Sequence, residues 1–383
     1  MLCVDALLKD AQAASGLSDY GDRQFTAGLQ VLVNAINTEA HLTAENEARF
    51  RLELLRLLEN RLRMRRDLVA HPEILEEEVL PPVFITSLPR TGSTKLHRML
   101  AATGDFHSMK FWQAYHFAPF SRERQTPDPR IAVADRYLTW MRQRAPLFAT
   151  GHPMYTEETE EEQVLLDAGF NSLYQHAAHL NVPSYVQWVL AQDPRRMFDD
   201  MRRILQYLQW QHFKGLRRRW ILKTPCLLGT ESALAHAFPG MDFIVTHRHP
   251  QLVMASTAAL LCGVLQVFND SIDKHRAGTV MLANFGATVQ RHLQWRADYP
   301  ASKVRDVRFD EVVADEAGVL RRLYDFLALP FTQTAHDNVR QWLAMDAARR
   351  EASPKFTLEE FGLDASTVDR VFAAYIERYR HLL

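Results

Sequence analysis

Two segments of the sequence carry polar side chains in an arrangement that suits anion binding. The first is the loop at residues 87–94, SLPRTGST, which lies between an apolar run and a helical pattern. A helix that starts in such a loop offers unpaired N–H groups and the positive end of its dipole to an anion. Gly92 lets the backbone pass close to the ligand, and Arg90 adds a planar guanidinium that matches phosphate or sulfate. We call this segment the anion loop, and it predicts a site for a tetrahedral anion.

The remaining donors of the anion loop are expected to be Thr91, Ser93 and Thr94, through backbone N–H groups and hydroxyls. The loop is not a triphosphate-binding Walker A loop, which requires the pattern G-x-x-x-x-G-K-[ST]. Here a single glycine precedes Ser-Thr, and Lys95 follows them. The local pattern leaves one alternative open, an ordinary turn in which Ser and Thr only cap the helix.

The second segment, IVTHRHPQLVMAS at residues 244–256, repeats the order of apolar strand, polar turn and helix. Arg248 follows the strand, and Ser256 lies eight residues later, about two helical turns on. We expect both side chains to converge on one anion beside the anion loop. An arginine at a strand end is often only a surface residue, so this prediction depends on the pairing with the first segment.

The elements that would position these segments indicate an α/β fold. Apolar runs at 83–86, 218–224, 241–248 and 303–309 predict four short strands separated by helices. This order is typical of a P-loop-like central parallel sheet flanked by helices. Residues 1–80 predict an all-helical region with Thr43 as an N-cap, and Pro81-Pro82 mark its boundary with an α/β domain at 81–383. The stretch from the end of the first motif to about residue 150 is predicted to be irregular. The stretch at 157–180 is predicted to be helical.

The composition excludes several classes of function. Lys plus Arg number 45 and Asp plus Glu 46, so a general nucleic-acid binder, which is usually basic, is not expected. Three separated cysteines form neither a disulfide framework nor a metal set, and we predict no metal. The longest apolar run, 252–268, is shorter than the ~20 residues that span a bilayer. These features favour a cytoplasmic protein without a membrane span.

Taken together, the two motifs resemble those of sulfotransferases that use 3′-phosphoadenosine 5′-phosphosulfate (PAPS). SLPRTGST is similar to their 5′-phosphosulfate loop, and HRHPQLVMAS to their 3′-phosphate element. WILKTP, FPGMDFIVTHRHP and KFTLEEFGLDASTVDRVFAAY are similar to the bacterial branch with the LPRTGST motif, so the resemblance covers nearly the whole chain. It implies that Arg90 and the loop residues Thr91, Gly92, Ser93 and Thr94 hold the phosphosulfate, and that Arg248 and Ser256 hold the 3′-phosphate.

The same resemblance implies roles for two lysines and leaves the catalytic base open. Lys223 would contact the bridging oxygen, and Lys355 in the tail would close over the nucleotide. Eukaryotic members carry Lys-Thr-His, whose histidine is the base, whereas this chain has Lys-Thr-Pro at 223–225. The best candidate segment for a base is GHPMYTEETEEEQVLL, where crowded glutamates can have a raised pKa. Glu161 is the first choice, followed by Glu160 and His152, although acidic residues in a first helical turn are also common without function.

The sequence therefore predicts sulfuryl transfer from PAPS to a hydroxyl or amine of a small-molecule or carbohydrate acceptor. Two alternatives stay open. A P-loop kinase would need Lys95 as its phosphate lysine and an aspartate at a strand end, whereas Asp242 opens its strand. The second alternative is a non-catalytic nucleotide-binding protein of the same fold, because the catalytic histidine of the Lys-Thr-His motif is absent. The N-terminal helices would serve either as a lid or as the contact of a homodimer.

Overall fold

A four-stranded parallel sheet forms the centre of the protein. The computed structural model describes residues 1–123, 125–173, 176–349 and 354–383. The strands are β1 (Val83–Ser87), β2 (Ile221–Lys223), β3 (Asp242–His247) and β4 (Val304–Arg308), in the spatial order β2-β1-β3-β4. All three pairings are parallel. The four predicted strands and the α/β class are thus confirmed, and the carboxyl ends of all strands meet at one edge.

Helices surround the sheet and account for most of the chain. Their bounds, in chain order, are α1 Val4–Ser15, α2 Phe25–Glu39, α3 Ala44–Ala70, α4 Ser93–Ala102, α5 Phe111–Tyr115, α6 Pro129–Arg144, α7 Pro146–Gly151, α8 Gln163–Leu166, α9 His176–His179, α10 Pro183–Leu190, α11 Arg195–His212, α12 Glu231–Ala237, α13 Pro250–Gln266, α14 Lys274–Asp298, α15 Phe309–Ala314, α16 Glu316–Phe326, α17 Gln333–Arg349, α18 Ala365–Val371 and α19 Ala373–Tyr379. None of the described helices is both long enough and apolar enough to cross a membrane.

The sheet is covered on both faces because successive strand residues point to opposite sides. In β1, Val83 and Ile85 pack in one apolar cluster with residues of α4, α16 and α17. Phe84, between them, packs in a second cluster with residues of α11, α12 and α14. All five residues of β1 are buried, as expected for the interior of a parallel sheet.

The N-terminal helices α1, α2 and α3 form the region that the sequence predicts to be helical. Thr43 caps α3 as expected, since its hydroxyl accepts a hydrogen bond from the Asn46 N–H at 3.2 Å. Buried residues of these helices, such as Leu29 and Phe50, share an apolar cluster with Leu138 of α6 and with Phe268. The region is therefore packed against later parts of the chain, and its role as a lid or dimer contact stays a prediction.

Two of the sequence-based assignments are wrong. The stretch predicted to be irregular before residue 150 contains α6 and α7, and α6 starts where the Asp128 carboxylate accepts a hydrogen bond from the Arg130 N–H, with Pro129 at the first position. The predicted helix at 157–180 is broken into the short helices α8 and α9, separated by a 3₁₀ turn at Asp167–Gly169. Phe170 ends that turn in a left-handed conformation with φ 53°, which a continuous helix does not allow.

The contact between α7 and α13 leaves no space for a side chain at Gly263. A Cβ atom added to Gly263 would lie 2.3 Å from the Phe148 nitrogen. We expect Gly263→Ala to force the two helices apart and to lower the free energy of unfolding by about 2 kcal/mol. Chemical denaturation measures this change. Leu252→Ala is the control on the same helix, because Leu252 is 62% exposed and should change stability by less than about 0.5 kcal/mol. Equal effects of the two substitutions would contradict this packing.

Candidate active site

The anion loop leaves the carboxyl end of β1 and turns directly into α4. Arg90 and Gly92 both have left-handed backbone conformations, with φ 67° and 83°. A Cβ on Gly92 would in addition lie 3.2 Å from the Phe309 ring, so the loop needs glycine here. The Thr91 hydroxyl is bonded to the Leu88 carbonyl at 2.8 Å and to the Thr246 hydroxyl at 2.7 Å. These bonds fix the loop to β3 and leave the N–H groups at the start of α4 for a ligand.

Two arginines lie next to each other at the anion loop. Arg248 donates a hydrogen bond to the Arg90 carbonyl at 3.3 Å, and its guanidinium lies 4.0 Å over the Phe309 ring. The Arg90 guanidinium donates to the Gly151 carbonyl. Burial, and then the charge of Arg248, lower the pKa of Arg90, and burial lowers the pKa of Arg248. Among the described residues no carboxylate lies within 4.0 Å of either group, so a bound anion would relieve their repulsion.

The other predicted nucleotide ligands lie on α4, on α13 and in the C-terminal tail. Ser93 and Thr94 form the first turn of α4, as predicted. Ser256 lies in α13, where its hydroxyl donates to the Val253 carbonyl at 3.2 Å. Lys355 is exposed, and within the described part of the chain no hydrogen bond or ion pair connects it to the anion loop. Its closure over a ligand stays a prediction.

Lys223 joins the anion loop to the acidic segment at 160–162. It is the last residue of β2 and is fully buried. Its ammonium donates to the Thr94 hydroxyl at 3.0 Å and contacts the Glu161 carboxylate. A buried ammonium needs such an opposite charge, because desolvation would otherwise favour its neutral form. Three of the predicted site residues are therefore in direct contact.

The other two predicted catalytic residues form an adjacent pair. His152 Nε2 lies 2.9 Å from Glu160 Oε1 and 3.9 Å from Glu161 Oε1. On the far side of Glu160, the Arg98 guanidinium lies 3.5 Å away. Burial alone would raise the pKa of Glu160, but the hydrogen bond and charge of His152, together with the charges of Arg98 and Lys223, lower it below its usual range. Glu160 is thus held as a carboxylate against the imidazole.

Two residues of this cluster were missed in the sequence. Arg98 stands one helical turn after Thr94 on α4, so the spacing i, i+4 could have placed it on the same face. Glu162 is fully buried, and its carboxylate accepts a hydrogen bond from the Lys223 backbone N–H at 2.9 Å. Burial raises the pKa of Glu162 to about 7. No sequence signal distinguishes Glu162 from its two acidic neighbours.

The arrangement bears on the predicted absence of a metal and on the kinase alternative. Ligand atoms of His152, Glu160 and Glu161 lie within 4.8 Å of one another, close enough to hold a metal ion. The ammonium of Lys223 and the guanidinium of Arg98 already compensate the two carboxylates, however. The lysine that a kinase loop would need, Lys95, is paired with Glu316 at 2.6 Å.

A cavity of about 540 Å³ opens beside these groups, and we call it the His152 cavity. Arg90, Thr94 and His152 line its inner end, whereas Arg248 and Ser256 do not line it. Arg142 of α6 and Arg349 of α17 also line the cavity, and we call this part its outer end. The cavity therefore offers room for a second molecule beside the anion loop.

Comparisons with known proteins identify the family of this chain. Residues 81–333 match the model of the sulfotransferase family. The omega-hydroxy-beta-dihydromenaquinone-9 sulfotransferases Stf3 of Mycobacterium bovis and Mycobacterium tuberculosis are both 26% identical to this chain over 319 residues, covering 78% of this chain and 75% of the relatives.

Solved structures resemble the whole chain. Sulfotransferase STF1 from Mycobacterium tuberculosis H37Rv superposes with a TM-score of 0.82 at 26% identity, covering 97% of this chain and 99% of the other. Sulfotransferase STF9 from Mycobacterium avium has a TM-score of 0.84 at 24% identity, covering 99% and 97%, and shows the shared fold. Because the family model spans more than half of the sequence and includes the anion loop, the acidic segment and Arg248, this chain belongs to the sulfotransferase family.

Proposed function

We propose that this protein transfers a sulfuryl group from PAPS to a hydroxyl or amine of a small-molecule acceptor. The observation that carries the proposal is the pair of half-buried arginines, Arg90 and Arg248, beside the N-terminus of α4. Two positive groups without a carboxylate partner among the described residues suit a ligand with phosphate or sulfate at two positions. PAPS carries such groups at its 5′ and 3′ ends, and family membership supports this donor.

In this proposal Arg90, Thr91, Gly92, Ser93 and Thr94 bind the 5′-phosphosulfate, and Arg248 and Ser256 bind the 3′-phosphate. The acceptor oxygen attacks the sulfur while the bond from sulfur to the bridging phosphate oxygen breaks, so the electron pair stays with adenosine 3′,5′-bisphosphate. Lys223 and the start of α4 stabilise the negative charge that develops on this leaving oxygen. Contact of the Lys223 ammonium with Thr94 supports this role.

His152 is the proposed base, with Glu160 as its orienting carboxylate. His152 lines the cavity that an acceptor would enter, and Glu160 lies behind it at 2.9 Å. Glu161, the first choice from sequence, contacts the Lys223 ammonium and does not line the His152 cavity. We therefore assign Glu161 the task of compensating and holding Lys223. The acceptor proton passes to His152 as the new S–O bond forms.

The alternatives receive less support. A kinase-like phosphotransferase does not fit the family, and Lys95 is paired with Glu316. A non-catalytic nucleotide-binding protein would retain the two arginines but would not need a His–Glu pair facing a cavity. The experiments below separate this third possibility from an enzyme.

The donor proposal predicts that adenosine 3′,5′-bisphosphate binds and that Arg248→Gln weakens it by about 10- to 100-fold, since a charge-assisted hydrogen bond to phosphate is lost. Isothermal titration calorimetry measures both. Arg340→Gln is the control, because it removes the same charge from a side chain that lies on the surface of α17 and is 72% exposed. Absence of binding to the unchanged protein at high micromolar concentration would refute the proposed function.

The catalytic proposal predicts that His152→Ala lowers kcat by about 10²- to 10⁴-fold while the affinity for adenosine 3′,5′-bisphosphate is unchanged. Transfer of radiolabelled sulfate from PAPS to an acceptor found by screening measures this loss. Glu157→Gln is the control in the same loop, since the side chain of Glu157 is 63% exposed. An unchanged kcat in His152→Ala would refute His152 as the base, and no transfer to any acceptor would favour the non-catalytic alternative.

The support of Lys223 by Glu162 predicts a pH dependence of stability. Because the pKa of this carboxyl is raised in the folded state, its stabilising effect is complete below about pH 4.5 and is lost as the pH rises towards 7. Glu162→Gln cannot ionise, so from pH 5 to pH 8 it should gain roughly 2–3 kcal/mol relative to the unchanged protein. Denaturant unfolding at both pH values, with Glu157→Gln as control, measures the difference. Parallel pH profiles would show that Glu162 ionises normally.

A further inference from the structure

The His152 cavity is lined by more cationic than acidic side chains. Five cationic side chains line its described part, against one carboxylate, that of Asp346; the cationic residues are Arg90, Lys95, Arg98, Arg142 and Arg349. The net charge of the whole chain is −1, so this excess is local and does not reflect the composition. Such a concentration of one sign of charge attracts ligands of the opposite sign.

Three of these cations already have a task near the anion loop. Arg90 faces Arg248 beside the proposed donor site. Lys95 is paired with Glu316 at 2.6 Å, and Arg98 lies against Glu160. These three side chains lie at the inner end of the cavity. The two remaining cations, Arg142 and Arg349, lie at its outer end.

Arg142, on α6, has no carboxylate within 4.0 Å among the described residues. Its guanidinium donates weakly to the Met154 carbonyl at 3.5 Å and to the Thr139 hydroxyl at 3.2 Å. Each of these acceptors is uncharged, so the positive charge is not compensated. Since the side chain lines the cavity, a ligand there can bind it.

Arg349, at the end of α17, stands on another wall of the same cavity. Its guanidinium lies 5.1 Å from the centre of the Tyr155 ring and 3.7 Å from Glu158. Glu158 also accepts a hydrogen bond from the indole N–H of Trp342 at 3.2 Å. Arg349 is thus paired with a carboxylate on one side, and its half-exposed guanidinium, held over a ring, offers further N–H groups to an oxyanion.

We propose that the acceptor of this enzyme is itself an anion: a hydroxyl compound that carries a second oxyanionic group, a carboxylate or a phosphate, which Arg142 and Arg349 bind. The inference rests on the proposed function, because it takes the His152 cavity as the acceptor site. The hydroxyl lies at His152, and the oxyanion at the outer end of the cavity. Between them, Met141, Met154 and Tyr155 offer an apolar wall for the body of the acceptor.

A set of matched phenols tests the charge of the acceptor. The probes are 4-hydroxyphenylacetate, 4-hydroxybenzylphosphonate, the neutral 4-ethylphenol and the cationic tyramine, each titrated calorimetrically into the protein saturated with adenosine 3′,5′-bisphosphate. We expect both anions to bind roughly fivefold more tightly than 4-ethylphenol, and tyramine to bind most weakly. The two anions distinguish a carboxylate from a phosphate preference. Raising the salt concentration should reduce the difference.

Two variants test which residues cause the preference for an anionic acceptor. Arg142→Gln and Arg349→Gln should each reduce the difference between 4-hydroxyphenylacetate and 4-ethylphenol, while leaving 4-ethylphenol and adenosine 3′,5′-bisphosphate unaffected. Arg142→Glu should reverse the order of the anion and tyramine. Arg136→Gln is the control, because Arg136 is exposed on α6 six residues earlier and does not line the cavity.

Three results would overturn the inference. They are equal or tighter binding of 4-ethylphenol, no binding of any probe at millimolar concentration, and an anion preference that persists in Arg142→Gln and Arg349→Gln. The last result would place the anion in the sulfate site at Arg90. Failure of the proposed function is a separate observation, since it would appear first as absent binding of adenosine 3′,5′-bisphosphate.

Discussion

The contact of the buried Lys223 ammonium with Glu161 and Thr94 is the interaction on which the active site depends. It connects the end of β2, the first turn of α4 and the acidic segment. A charge removed from water is tolerated only with an opposite charge and with hydrogen bonds for its remaining protons. Loss of either Lys223 or Glu161 alone would leave an uncompensated buried charge, which is why the three elements must be present together.

This requirement explains the local backbone better than helix propensity does. Glu160, Glu161 and Glu162 follow one another, and on a regular helix their side chains would point about 100° apart. Here they reach three different partners: His152, the Lys223 ammonium and the Lys223 N–H. The backbone of this segment is also bonded outside itself, since the Glu160 N–H donates to the Met109 carbonyl at 3.0 Å. Before α8, tertiary contacts therefore override the local helix preference.

Much of the fold could be predicted because its signals are local. The four strands are short apolar runs, and Gly92 and Arg248 lie at junctions that the parallel sheet brings to one edge. The start of α6 could also have been predicted from Asp128-Pro129, an N-cap residue followed by proline at the first helical position. The contacts between side chains of the candidate site could not be predicted from the sequence. Whether His152 faces Glu160 depends on how the loop before α8 packs against α4, and no spacing in the sequence encodes that contact.

The anion loop separates two regions of positive charge, and this separation has a chemical consequence. On one side Arg90 and Arg248 face the proposed donor, and on the other the His152 cavity leads out to Arg142. Lys223 lies between them, where its charge is shared with Glu161. In the proposed mechanism the leaving phosphate faces the cationic groups of the donor side, whereas Glu160 stabilises the imidazolium that forms on His152 as it takes the acceptor proton. One cluster thus serves both the leaving group and the base.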